Sequence, residues 1–243
     1  MKKFLWALVA GGLLSSCSTV SVTKSQRYPQ VYAERPVSIL VMPPINRSTK
    51  VDAKALFYSS LIVPLSQRGY YVFPPLLTME ILKEESAYDA EMFEESSMQP
   101  VGRLFGVDAV LFTTIHEWTK TTIAAQVQVT VEYTLRSAKT DAILFHRKGT
   151  VIYNPNTSSG SVLLNMLGDM LSAALTKEIE LGRQCNEEAI GDMPAGGYSP
   201  VFGQDGNENA GSEEFSASFF RCKTVRGTFF KVPRTVFTVS SCR

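Results

Sequence analysis

His116 and His146 are the only imidazoles in the 243 residues, so any histidine-based proton transfer or metal binding must run through them. Both fall in stretches that read as β-strands, where a histidine more often makes hydrogen bonds than holds a metal. The expectation is no metal site, no cofactor and no catalytic residue. An enzyme would require His116 and His146 to converge with a carboxylate in space. Serine offers no better frame, because Ser158-Ser159-Gly160-Ser161 lacks the preceding strand and the G-x-S-x-G spacing of a nucleophile elbow. Glu84, Glu85, Asp89, Glu91, Glu94 and Glu95 put six carboxylates in twelve residues. They lack the alternating oxygen ligands and turn glycine of a calcium loop, and read as a solvated face. Gly191 to Gly206 opens no helix, so no phosphate-cradling loop is present.

Binding chemistry has better candidates. Pro43, Pro44, Asn46 and Arg47 follow an apolar run directly, the crevice position in which α/β sheets hold ligands. Tyr70, Tyr71 and Trp118 supply aromatic groups for the same rim or for an interface. Core packing is the competing reading for each of these.

Cysteine chemistry points to export. Met1-Lys2-Lys3, an apolar Phe4–Leu14 stretch and Leu14-Ser15-Ser16-Cys17 have the layout of an export signal, with a four-residue ending that resembles the bacterial lipobox. The resemblance implies cleavage after residue 16 and acylation of Cys17 on its thiol and amine, anchoring that one chain alone would not make stable. Ser18 at the following position favours the outer membrane, with the domain facing the periplasm. Residues 18–36 lack apolar periodicity and read as a tether. Of the remaining cysteines, Cys185, Cys222 and Cys242, one should be unpaired or bridge to another molecule; a Cys222–Cys242 bridge is compatible with their spacing, which alone cannot establish it.

The elements that would carry these groups follow from periodicity. Val37–Met42, between Pro36 and Pro43, reads as a strand buried on both faces. Ser48 or Thr49 then caps a helix that turns Ala55, Leu56, Ser59, Ile62 and Val63 inward until Pro64 bends or ends it near Gly69. Tyr70–Phe73 is a second strand, completing a βαβ unit with a parallel pair. Helices are expected over Leu76–Ser86 and up to a C-cap at Gly106. From Asp108 the period becomes two: Asp108–Trp118, Thr122–Arg136 and Ala142–Tyr153 form an antiparallel meander with turns at Thr119–Thr121 and Ser137–Asp141. After a loop from Asn154, apolar residues from Val162 to Ile179 recur at helical spacing and should pack across the sheet. The fold class is α/β (α+β), a single mixed-sheet domain over 37–203, preceded by a signal (1–16) and a lipidated tether (17–36).

With net charge +1 there is no basic field to hold nucleic acid, and no apolar run outside the signal is long enough to cross a bilayer. Ser38-Ile39-Leu40-Val41-Met42-Pro43-Pro44-Ile45-Asn46, Val63-Pro64-Leu65 with Arg68-Gly69-Tyr70-Tyr71-Val72-Phe73-Pro74, and Leu104-Phe105-Gly106-Val107-Asp108-Ala109-Val110-Leu111 resemble, in that order, the neisserial GNA-antigen family of outer-membrane lipoproteins of unassigned function. The resemblance runs from about Cys17 to Gln204. Members look like the N-terminal α/β domain of TolB and, more distantly, like curli-secretion (CsgG-type) lipoproteins and peptidoglycan-synthase activator lipoproteins. It implies a lipid-anchored adaptor of an envelope export or assembly complex, with a CsgG-type lipoprotein or another envelope complex as partner, and no known reaction. A small-molecule or glycan binder using the crevice after 37–42 is the alternative. The segment 204–243 departs from the family pattern: it is polar, then basic after Glu214, and reads as a poorly ordered tail.

Overall fold

The structure is a computed structural model that describes residues 21–85, 89–121, 126–154 and 172–220. Two short helices open it, α1 (Lys24–Arg27) and α2 (Pro29–Glu34), followed by β1 (Ser38–Val41) and β2 (Ile45–Asn46). Next come α3 (Ala53–Ser60), α4 (Ile62–Gln67) and β3 (Tyr71–Val72), then α5 (Pro75–Glu84), a 3-10 turn (Ala90–Phe93) and α6 (Gln99–Phe105). Three long strands, β4 (Ala109–Thr121), β5 (Gln126–Ser137) and β6 (Ile143–Asn154), lead to α7 (Ser172–Ile190), a 3-10 turn (Asp205–Asn207) and β7 (Glu214–Phe220). The seven strands form one mixed sheet in the order β3-β1-β4-β5-β6-β7, with β2 also pairing β4. The pairs β1–β3, β1–β4, β2–β4 and β6–β7 are parallel, whereas β4–β5–β6 is antiparallel.

The expected βαβ unit and meander are both present, and the two-sided burial of β1 has a direct cause. Ile39 and Val41 face a core shared with α2, α3, α4 and α7, whereas Leu40 and Met42 face a second core beneath α5 and α6. The first helix breaks at Leu61 because Pro64 has no N–H to give the Ser60 carbonyl. Its inward residues are Ala53, Leu56, Phe57 and Ser60; Ala55, Ser59 and Val63, expected inward, are exposed. The cap falls on Asp52 instead of Ser48 or Thr49, because Asn46 holds Ser48 in a turn of its own. Thr119–Thr121, expected as a turn, pair with Gln126–Gln128 as strand. The stripe from Val162 to Leu171 lies outside the described residues, and α7 continues past Ile179 to Ile190, seating Leu181, Cys185, Ala189 and Ile190 in the main core.

Two boundaries move. The expected tether over 17–36 is folded from Lys24: Tyr28 and Val31 lie in the main core and the Lys24 side chain is buried. The expected poorly ordered tail is built into the sheet as far as Phe220, with β7 parallel to β6 from Lys148↔Glu214 to Asn154↔Phe220. Gly149 explains how the added strand seats. The Phe215 ring lies where a Cβ on Gly149 would stand, so glycine is what leaves room for it.

Arg147, almost wholly buried, then locks β7 to α7. It donates to the carbonyls of Glu188 and Ala189 at the C-terminal end of α7 and to that of Ser212, while its guanidinium stacks 4.6 Å over Phe215. A cation there meets the last carbonyls of the helix, where the helix dipole is negative.

Candidate functional site

Among the described residues, helices α5 and α6 cover β1 and the first part of β4, and the outer face of β5 and β6 is partly open to solvent. On β5 it presents Gln128, Thr130, Glu132, Thr134 and Arg136, and on β6 His146, Lys148 and Thr150, all half-buried. Thr130 and Thr150 hydroxyls meet at 3.0 Å across the strands.

A chain of acids and bases crosses this face. His116 on β4 bonds through Nε2 to Glu132 Oε2 at 2.6 Å, and His146 on β6 bonds through Nε2 to Glu132 Oε1 at 3.0 Å. His146 Nδ1 meets Glu213, just before β7, at 2.8 Å. A β-bulge puts His116 there: the register passes from Ile115↔Val131 to Glu117↔Thr130, so His116 has no residue opposite it. The same bulge shifts the alternation by one residue, so that Trp118, three residues after Ile115, also faces the core.

Glu132 stands opposite Thr114 on β4 and Lys148 on β6, while His146 stands opposite Thr134. His116 therefore approaches Glu132 from the Thr130 end and His146 from the Thr134 end. Imidazoles arriving along opposite diagonals grip the carboxylate but do not converge on one point. In keeping with this, among the described residues no group of three or more His, Cys, Asp or Glu is disposed to hold a metal ion.

Burial pushes the Glu132 carboxyl up, but the bonds from His146 and His116 outweigh it and hold it below the usual range. Burial likewise pushes the His146 imidazole down, and its bonds to Glu132 and Glu213 more than reverse that, raising it. Both histidines thus meet one carboxylate, as an enzyme would require, but from opposite sides of it, and the second partner of His146 is also a carboxylate. The arrangement can take up and release protons on an exposed sheet face.

The expected rim residues do not assemble. Pro43 and Pro44 are buried. Asn46 is used within its own loop, accepting from Ser48 and donating to the Lys50 carbonyl. Arg47 reaches Glu94 at 3.0 Å on the surface. Tyr70 is buried and donates to the Pro194 carbonyl, and Trp118 packs edge-on against Phe57 with centroids 5.9 Å apart. Of the aromatic set only Tyr71 is exposed. A cavity between α2, Tyr70 and Pro194–Gly203 offers about 10 Å³, room for a single water. Cys17, Cys222 and Cys242 lie outside the described residues, and Cys185 is a buried thiol that burial pushes up and makes inert.

Glu132 and Glu213 are the residues that sequence reasoning missed. Glu132 had a signal, being a charge in the middle of an alternating strand; Glu213 had none.

The model of the GNA1162-like lipoproteins matches residues 26–185. Lipoprotein NMB1124/NMB1162 of Neisseria meningitidis serogroup B is 29% identical over 181 residues, which are 73% of this chain and 81% of the relative. The crystal structure of lipoprotein GNA1162 from Neisseria meningitidis is 28% identical and covers 60% of this chain and 99% of its own, with a TM-score of 0.46. A PelC dodecamer from Paraburkholderia phytofirmans is 16% identical over 64% of this chain and 86% of its own, with a TM-score of 0.41.

Proposed function

The chain belongs to the GNA1162-like lipoprotein family, and from that premise we propose that it is a lipid-anchored accessory protein of the outer membrane that works by binding other envelope proteins, without catalysing a reaction. The observation that carries this reading is the polar sheet face: threonine, glutamine, lysine and the His116–Glu132–His146 chain stand half-exposed on strands whose other face is locked into the core. A polar sheet face suits a protein partner better than a small molecule, which sits in a concave site. Envelope crosslinking followed by affinity recovery tests it. The parent should capture one or more envelope proteins, and Thr130→Arg, which adds bulk to the open face without touching the core, should lose them. Recovery of monomer alone from the parent overturns the reading.

The anchor is proposed at Cys17, where the lipobox resemblance puts it. Cells grown with labelled palmitate should label the parent chain and leave Cys17→Ala unlabelled; equal labelling would reject Cys17.

A further inference from the structure

We infer that one pole of the domain, built from residues 21–27 and 206–210, lies against the phospholipid leaflet, with the far ends of β4, β5 and β6 directed into the aqueous compartment. The inference rests on the Cys17 anchor proposed above and extends it to an orientation. Its starting point is how soon the fold begins after that cysteine. Ala210 N–H donates to the Val22 carbonyl at 2.8 Å, and Thr23 and Asn209 form an antiparallel bridge. Lys24 N–H donates to the Glu208 carbonyl, and the Lys24 ammonium reaches the Glu208 carboxylate at 2.7 Å. From Val22 onward the backbone is therefore part of the fold.

Only residues 18–21 separate Cys17 from that fixed point. Five steps of extended chain span about 17 Å at most, of which the headgroup layer occupies about 5–7 Å. A domain of roughly 200 residues has a radius of gyration of about 16 Å and so a diameter near 40 Å. A leash shorter than half the domain's diameter prevents the domain from turning over and presenting its other end to the bilayer.

Strand register identifies the end held away. β7 begins at Glu214, four residues past the pole and opposite Lys148 midway along β6, and runs beside β6 to Asn154↔Phe220, a rise of about 20 Å. Val127↔Tyr153 and Thr119↔Gln128 place Thr119 at that distant level. The groups exposed at the pole, Ser21, Gln26, Asn207, Glu208 and Asn209, are all polar, and their one charge, the Glu208 carboxylate, is paired with the Lys24 ammonium. Such a surface lies against headgroups without inserting, so the acyl anchor supplies the attachment and the pole supplies the direction.

Full-length acylated protein in phosphatidylethanolamine–phosphatidylglycerol vesicles, carrying a photocrosslinking benzoylphenylalanine in place of Asn207 or of Thr119, tests the orientation. Mass spectrometry reads both the acyl chains and the crosslinked lipid. Asn207 should capture phospholipid severalfold more than Thr119, and a Gly/Ser insertion of about fifteen residues after Ser18 should bring Asn207 down to the Thr119 level. Acylated protein in which both positions capture lipid equally, or in which the insertion changes nothing, overturns the orientation alone. Protein that carries no acyl mass at Cys17 overturns the anchor and the orientation together.

Discussion

Glu132 lies between two imidazoles, and this residue makes the outer face of the sheet sensitive to pH. Ionised, it accepts from His116 and His146; protonated, it loses that role. Its pKa is depressed, so its contribution to stability is present above about 4.5 and is lost as pH falls through the folded value. The His146 pKa is raised, so its contribution is full below about 6.5 and is lost as pH rises through the folded value. The string is therefore tightest between these limits, with a contribution below about 1 kcal/mol because the groups are partly solvated. An NMR titration should place the His146 midpoint above 6.5. In Glu132→Gln it should fall, because burial then acts against Glu213 alone; an unmoved midpoint would show that Glu132 does not set it. The sequence placed both histidines correctly on strands. It hid their common carboxylate, because the bulge at His116 breaks the alternation, and it hid Glu213, which lies 67 residues from His146.

At the scale of elements, legibility depended on whether a segment's burial came from its own pattern or from a distant partner. β1, β4, β5 and β6 carry their alternation or apolar runs openly, and Gly106 closes α6 in the left-handed conformation at φ 66° that glycine favours. β7 and α1 did not announce themselves. β7 alternates Phe215 and Ala217 with serines in a polar stretch, and it is held by Gly149 and Arg147, far away in sequence. The four-residue α1 is fixed by Glu208 and Asp205, which read as parts of a loose tail. Gly149 gives the sharpest test. Gly149→Ala drives a methyl into the Phe215 ring and should cost about 1–3 kcal/mol. Hydrogen exchange should accelerate over residues 214–220 more than over β4 and β5. Uniform acceleration across the sheet would instead mean that β7 and the rest of the sheet open as one unit.

For the whole molecule, the N-terminal helices and the segment leading to β7 meet at Asp205. Its carboxylate, nearly inaccessible, accepts from the Ala195 N–H at 2.8 Å and the Tyr32 hydroxyl at 3.0 Å, and lies 3.6 Å from Lys24 and 3.4 Å from Arg68. One residue thus joins α1, α2, the end of α4 and the loop after α7. Removing one partner of a buried charge cluster leaves the others unpaired and costs about 3–5 kcal/mol; Asp205→Ala belongs at the lower end because Lys24 keeps Glu208. A chain cut after residue 203, harmless if the segment beyond it were a loose tail, should lose at least as much, since β7 goes with Asp205. Chemical denaturation measures both. The variant also bears on the membrane. If Asp205→Ala frees residues 22–34 while the sheet stays folded, the leash lengthens from about five residues to about seventeen, and its reach from about 17 to about 60 Å. Lipid capture at position 207 should then collapse as it does with the Gly/Ser insertion, without a residue being added. Undiminished capture, with exchange showing residues 22–34 released, would mean that the pole holds the leaflet by its own contacts and not by the shortness of its leash.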